Sequence, residues 1–380
     1  MERYTLNMKK KKVLEVIRQG QIGGGESHLA DLVELMDKTE FEPICLSFTD
    51  GEMINRLQAI GITCYVIETT KPFNISIQQR IIQLIKNEHI DIIHAHGTRA
   101  ASNVLFPSIL LGLPLIYTVH GWSFHDDQGK LVFTLRKWSE KFICHFAKQV
   151  ICVSEGNAET GKRQFNLTNP IVIKNGVNLR RFNSEKHSTL NRSDLGFKDT
   201  DFIVGFIARC TKQKAPIDFL DALERAHQKD YRVKGLFIGE GDMDVEVNKF
   251  IAEHHMEDYL FRSPFRTDIP DILSLLDVYC LPSLWEGLSI GLLEAMATGC
   301  AIIATPTDGT QEVIIHEQNG MIIPFNSPNA ICSTIIRLLN DDSLRGKCQT
   351  NALSLISKQF NAQHTADAVV DIYQNYANNP

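Results

Sequence analysis

Two glutamates, Glu286 and Glu294, bracket the run Gly287-Leu288-Ser289-Ile290-Gly291 in a chain of 380 residues. A carboxylate accepts hydrogen bonds on both oxygens, so it suits the paired hydroxyls of a ribose or a sugar ring. The small residues between them let backbone come close to a ligand. The layout suggests a nucleotide-sugar site, with one carboxylate for the sugar and one for the ribose. A plainer reading is open: acidic residues gather at helix N-termini because the dipole favours them. Glu286 is expected in the loop after a strand at 278–281, and Glu294 in the first turn of a long helix after Gly291.

Other segments offer partners for such a ligand. Arg209 and Lys214 follow an apolar run, Phe202-Phe206, on one loop. An arginine fork and a lysine point charge can together grip a diphosphate, or can simply be a solvated basic loop. Gly23-Gly24-Gly25-Glu26 stands between a strand and a helix, where free N–H groups and the dipole favour a phosphate. It is neither G-x-G-x-x-G nor a Walker loop, so an ordinary strand-to-helix turn is equally open. Gly239-Glu240-Gly241 reads as another close-approach loop. His120 follows the strand 115–118, at the end where parallel sheets bind ligands; a satisfied loop histidine is the alternative. His94 and His96 share one strand face like a metal pair, but no carboxylate or cysteine partner is evident nearby, so metal is set aside. Asp242-Met243-Asp244 mimics a D-x-D metal signature but follows a glycine turn and opens a polar helix, where acidic residues cap.

These residues need a scaffold. Strands are expected at 13–17, 43–47, 63–67, 90–94, 115–118 and 149–153, separated by helices at roughly 51–60, 74–88, 98–111 and 131–147. A polar stretch over 180–200 reads as a linker. A second alternation follows, with strands at 202–206, 232–238, 259–261, 278–281, 301–304 and 320–323. The fold class is α/β, as two doubly wound parallel sheets with ligands in the cleft between them. Apolar content of 43% and charged content of 22% are those of a soluble globular protein, and a net charge of −6 gives no global electrostatic case for nucleic acid. Nine dispersed cysteines read as reduced, mostly buried thiols of a cytoplasmic protein. The start, Met1 to Lys12, lacks the apolar core of a secretory signal, and its Lys9–Lys12 run reads as a solvated lead-in to the first strand. No apolar stretch is long enough to span a membrane.

Together the motifs resemble glycosyltransferase family 4, the retaining enzymes of GT-B fold, over nearly the whole chain. The form E-G-x-x-x-G-x-x-E-A-M-A-x-G at Glu286 to Gly299 is the most specific part. Arg209 and Lys214 match the basic pair, Gly23–Gly25 the glycine loop and His120 the N-domain histidine. Asn175-Gly176-Val177-Asn178 matches a hinge-side motif with Asn178 for Asp, and Gln311 stands where Pro is usual. Ala215 follows the lysine where the family has Gly, a departure expected only to blur the loop's shape.

The resemblance implies an N-terminal domain over 1–183, joined by a C-terminal helix at 362–380, and a donor-binding domain over 184–361. It also implies roles. Arg209 and Lys214 neutralise the leaving diphosphate, and Gly24 and Gly25 approach the same phosphates. Glu294 holds the ribose. Glu286 holds sugar hydroxyls together with the backbone of Gly287, Leu288, Ser289 and Ile290, with Gly239 nearby. His120 contacts the sugar, and Phe265 and Arg266 lie where the base is cradled. No metal or other cofactor is implied, since the basic pair takes the place of a divalent ion. The implied reaction moves a hexose or N-acetylhexosamine from a nucleotide-sugar, a UDP-sugar in the leading version, with retention, to a saccharide or lipid-linked saccharide acceptor of capsule or O-antigen synthesis.

Trp122, Phe124, Phe133, Trp138, Phe142 and Phe146 are interleaved with Lys130, Arg136, Lys137, Lys141 and Lys148. The aromatic positions spread over more than one helical face, so a core-packed helix with solvated lysines is expected. A helix resting on the cytoplasmic membrane face, beside a lipid-linked acceptor, is the alternative. Two other functions stay open: a GT-B-like UDP-sugar epimerase or hydrolase, and a non-catalytic module that binds sugar nucleotides.

Overall fold

The computed structural model describes residues 10–21, 23–125, 128–185 and 188–377. Most of the basic lead-in, Met1 to Lys9, lies outside them. The chain forms two compact units, 1–174 with 362–380, and 175–361.

The first unit alternates β1 (Lys11–Ile17), α1 (Gly24–Leu35), β2 (Phe41–Ser47), α2 (Glu52–Ala59), β3 (Thr63–Val66), α3 (Gln78–Glu88), β4 (Ile92–His96), α4 (Thr98–Leu111), β5 (Leu115–Val119), α5 (Lys130–Phe146), β6 (Gln149–Cys152), α6 (Glu155–Phe165) and β7 (Ile171–Val172). All strands pair in parallel, in the order β3-β2-β1-β4-β5-β6-β7. The order reverses between β1 and β4, which is where open α/β sheets bind ligands. Central strands are buried on both faces and should be apolar throughout. β1 obeys this at Val13, Leu14, Val16 and Ile17 and breaks it at Glu15, which is fully buried.

The second unit contains β8 (Phe202–Ile207), α7 (Pro216–Lys229), β9 (Val233–Ile238), α8 (Asp244–Glu253), β10 (Leu260–Ser263), α9 (Ile269–Leu275), β11 (Val278–Leu281), α10 (Ile290–Ala297), β12 (Ala301–Ala304), α11 (Asp308–Gln311), β13 (Met321–Ile322), α12 (Pro328–Asn340) and α13 (Asp342–Gln359). The strand order β10-β9-β8-β11-β12-β13 again reverses at the centre, between β8 and β11. Phe206, Phe219 and Phe237 pack together in its core with tilted and edge-on rings. The last helix, α14 (Ala362–Ala377), belongs to the first unit. It lays Ala366, Val369 and Tyr373 against Val13, Ile92 and Ile116.

Three expectations change. The units divide after Lys174, ahead of the 183/184 boundary, because Val177 donates to the Phe360 carbonyl at 2.8 Å and ties the start of the segment into the second unit. The stretch over 180–200 is no linker. Phe182, Leu195 and Phe197 are buried among its polar residues, and Arg192 donates to Leu275 O and Asp277 Oδ2, each at 3.1 Å. The helix carrying Glu294 is short and starts at Ile290, so Glu294 lies beyond its first turn. The helix-dipole reading of that glutamate therefore loses its footing. All nine cysteines are free thiols, seven of them buried.

Candidate active site

In the second unit the loops leaving β8 and β11 are bound edge to edge. Leu284 donates its N–H to Gln213 O at 2.8 Å, and Gln213 Nε2 donates to Trp285 O at 2.8 Å. This double tie brings Lys214 onto Glu286, whose Oε1 accepts a hydrogen bond from the ammonium. Both side chains are nearly buried, at 12% and 9% exposure. The cation and the carboxylate that were given separate roles are therefore one ion pair. Lys214 ends a single 3-10 turn, Lys212–Lys214, and the chain then passes through Ala215 at φ 48° into Pro216 of α7. That left-handed conformation is where the family's glycine belongs; an alanine holds it at a cost of about 1–2 kcal/mol. The departure at Ala215 thus leaves the turn intact under strain.

Arg209 is two residues beyond β8 and partly exposed. Behind it, Gly239 sits at φ 138°, and a Cβ there would lie 1.8 Å from Ala208 O. The close approach predicted for Gly239 is thus to the neighbouring loop, where Cys210 also donates to Glu240 O at 2.9 Å. Asp244 accepts from Gly241 N–H and Arg262, which accounts for the D-x-D mimic as a cap.

After β11 the backbone runs through Glu286 and Gly287 to Ser289, which caps α10 by accepting from Leu292 N–H. A Cβ on Gly309 would lie 1.7 Å from Gly287 O, so α11 presses on this turn backbone to backbone. Asn175 donates to Leu288 O at 2.7 Å and holds the turn from the other side. Tyr279 donates to Ile207 O at 3.0 Å. Burial, with Glu294 and Glu286 adding negative potential, drives its phenol well above the ordinary range. Phe265 is partly buried, and Arg266 is clamped by Asp268 through both carboxylate oxygens, at 2.8 and 2.5 Å. Arg266 is therefore neutralised within its own loop rather than offered as a loose cation.

In the first unit, Gly23 is extended and α1 starts at Gly24; Ile22 lies outside the described residues. Gly25 faces His120, so that a Cβ on it would be 3.5 Å from the imidazole. His120 belongs to a buried network that only the fold assembles. The register of β1 on β4 sets Glu15 beside His94 and Ile17 beside His96. Glu15 Oε2 accepts from His96 Nε2 at 2.9 Å, and Glu15 Oε1 accepts from Tyr373 of α14 at 2.6 Å. His94 contacts the Tyr373 hydroxyl at 2.5 Å and Thr118 Oγ1 at 2.7 Å. A carboxylate only accepts, so His96 carries its proton on Nε2, and its Nδ1 then accepts from His120 Nε2 at 3.3 Å.

Burial alone would raise the Glu15 carboxyl, but the His94 and His96 contacts outweigh it and hold it far below the usual range. Burial, then His94, lowers His96 to about 4. Burial, then His28 and His96, holds His120 well below its ordinary value, so both imidazoles are neutral at neutral pH. The absence of a carboxylate beside His94 and His96, inferred from the sequence, was wrong: Glu15 is that partner. Its signal was present as an acidic residue inside the apolar run 13–17. Tyr373 had no comparable signal. Glu140 of α5, also missed, is fully buried and accepts from Thr98, Tyr117 and the Ser123 N–H, so it anchors the loop that carries His120. A cavity of about 290 Å³ beside β3, lined by Tyr65, Arg80 and Glu88, contains none of these residues.

Residues 22–181 match the family described as Glycosyltransferase Family 4, and residues 188–354 match Glycosyl transferases group 1. The chain is a glycosyltransferase, its first half matching family 4 and its second half group 1. This glycosyltransferase is 28% identical over 306 residues to the UDP-Gal:alpha-D-GlcNAc-diphosphoundecaprenol alpha-1,3-galactosyltransferase of Escherichia coli, covering 77% of each chain. It is 23% identical over 312 residues to the capsular polysaccharide biosynthesis glycosyltransferase CapM of Staphylococcus aureus, covering 78% of this chain and 80% of that one. Its structure is similar to Anabaena Alr3699/HepE in complex with UDP and glucose, with a TM-score of 0.82 at 21% identity, over 96% of this chain and 99% of the other. The glycosyltransferase thus has the GT-B architecture of two Rossmann-like units. No helix among its described residues is long and apolar enough to cross a membrane.

Proposed function

We propose that the enzyme transfers a hexose or N-acetylhexosamine from a UDP-sugar, with retention and without a metal, to a lipid-linked saccharide in surface polysaccharide synthesis. The observation that carries this reading is the grouping, at the reversal point of the second sheet, of Arg209 and the Lys214–Glu286 pair, with Glu294 on the helix that follows. Cleavage of the anomeric bond builds negative charge on the diphosphate, and fixed cations meet that charge. In this reading Arg209 and Lys214 take the diphosphate. Glu286, freed as the lysine turns to phosphate, takes sugar hydroxyls beside the N–H groups of Leu288 to Ile290. Glu294 takes the ribose. His120, neutral and held by His96, offers the sugar a hydrogen-bonding nitrogen, with Gly24 and Gly25 beside it. The UDP donor and lipid-linked acceptor rest on the activity named for the Escherichia coli protein and on the UDP and glucose held by the Anabaena one.

The acceptor side adds a membrane-facing element. Leu131, Leu135, Trp138, Phe142 and Phe146 of α5 are 40–72% exposed, and their spacing of four, three, four and four places them on one helical face. Glu140 and Ile143 are the buried residues of this helix, and Phe133 and Cys144 pack beside them on the core, so the aromatics do occupy more than one face, but Trp138, Phe142 and Phe146 are left outside the core. Phe106, Ile109 and Leu110 of α4, which packs on α5, are also exposed. Lys137 and Lys141 flank the stripe, over the Phe133 and Trp138 rings. In this reading the stripe rests on an anionic bilayer that presents the acceptor.

A screen of UDP-, GDP- and dTDP-sugars against undecaprenyl-diphosphate saccharides, scored by nucleotide release, tests the proposal. UDP release and an elongated lipid product, both lost in Arg209→Ala and Lys214→Ala, are expected. Folded protein that releases no nucleotide from any donor and acceptor pair overturns it.

A further inference from the structure

We propose that His28, His96 and His120 form a three-histidine site for a zinc-type divalent cation at the carboxyl end of β4 and β5. One nitrogen from each ring falls within 4.8 Å of the others. His96 Nδ1 and His120 Nε2 are 3.3 Å apart. Two nitrogens each about 2.0–2.1 Å from one ion subtend roughly a tetrahedral angle at that separation. His28, in the second turn of α1, supplies the third nitrogen and closes the set by a ring movement, and water takes the fourth position. His28 and His96 are nearly buried, at 6% and 2% exposure, while His120 is more open, so the open position has a route to solvent.

The surroundings are those of a metal site. His96 uses its far nitrogen, Nε2, on the Glu15 carboxylate, which orients the ring and turns the Nδ1 lone pair toward His120. Carboxylate behind histidine is the arrangement that fixes ligands around zinc. Glu15 is itself held by Tyr373, so the support comes from β1 and from α14 at once. The ligands come from α1, β4 and the loop after β5, three elements fixed by one sheet, so little ordering remains when the ion arrives. Three imidazoles without a thiolate suit zinc, cobalt and nickel and disfavour magnesium and calcium. The ion takes His120 Nε2 and sets a positive charge beside the other nitrogen of that ring, which the transfer reading assigns to the sugar, so zinc opposes transfer.

The test needs no donor, acceptor or turnover, so it stands apart from the proposed activity. Untagged full-length protein is titrated with Co²⁺ and followed by visible absorption, then with Zn²⁺ by calorimetry. One equivalent of ion at micromolar affinity or better is expected, with tetrahedral cobalt bands and no thiolate charge-transfer absorption. His28→Ala and His96→Ala should lose it. Glu15→Gln, which keeps all three ligands, should weaken it about 10–100-fold. Circular dichroism of each variant establishes that it is folded, and the Glu15 variant carries the test if a histidine variant is not. Overturning results are the lack of a one-to-one site in the unsubstituted protein, thiolate-to-cobalt absorption, or unchanged affinity in folded His28→Ala or Glu15→Gln.

Discussion

The ammonium of Lys214 donates a hydrogen bond to Glu286, so the charge expected to meet a diphosphate rests on the carboxylate expected to meet a sugar. A nearly buried pair of this kind is costly to break from one side only, because the partner is left uncompensated. Donor binding would compensate it, since phosphate takes the lysine and hydroxyls take the carboxylate.

Lys214→Met and Glu286→Gln should therefore be coupled. Each alone should lower kcat by about 10²–10³-fold. The double variant should lose less than the product of the two, with a coupling of about 1 kcal/mol or more. Strict additivity in a double-mutant cycle on kcat/KM would show that the pair has no functional link.

Glu294→Ala should weaken UDP-sugar binding by about tenfold to a hundredfold, the worth of hydrogen bonds to a charged group. Arg209→Ala should chiefly lower turnover. Calorimetry for the first and steady-state kinetics for the second separate the roles; equal effects on both parameters in both variants contradict the division.

Transfer should persist in EDTA, at unchanged or higher rate, because Arg209 and Lys214 supply the cationic charge within the protein. Complete loss of product, restored by added divalent metal, rules out the metal-independent mechanism.

Ala215→Gly should stabilise the protein by about 1 kcal/mol, because glycine relieves the left-handed strain at φ 48°. The gain is net of glycine's greater chain entropy when unfolded. Denaturant unfolding with no gain, or a loss, would mean that the alanine is not strained.

Burial holds the Glu140 carboxyl above its ordinary value, against the donors Ser123, Thr98 and Tyr117, which lower it. A group that binds its proton more tightly when folded contributes stability below its unfolded pKa, about 4.3, and loses that contribution as pH rises through the folded value. Glu140→Gln does not titrate. The stability of the unsubstituted protein relative to this variant should therefore fall as pH rises above the unfolded pKa of about 4.3. A difference that is flat with pH in denaturant titrations would refute the assignment.

Trp138→Ser with Phe142→Ser should reduce binding to phosphatidylglycerol vesicles by about tenfold or more and leave thermal stability nearly unchanged, since both rings are at least half exposed. Equal flotation of variant and parent would place the bilayer contact elsewhere.

Local order along the chain was enough to fix the alternating elements, both doubly wound sheets and the residues at their carboxyl ends. Val13 to Ile17, Phe202 to Phe206 and Val278 to Leu281 announce central parallel strands by continuous burial. Arg209, Lys214, Glu286 and Glu294 stand out by their types and spacing in the segments that follow such strands, with a solvated loop or an acidic helix start still open for them. The Glu15–His96–His120 chain, the seat of Tyr373 upon it and the Lys214–Glu286 contact were decided by tertiary structure alone. Each joins residues far apart in sequence through strand register or through ties between loops, and no local pattern encodes a register. The same reason separates the two histidine readings: a strand places His94 and His96 on one face by its own period, but only the pairing of β1 with β4 supplies their carboxylate.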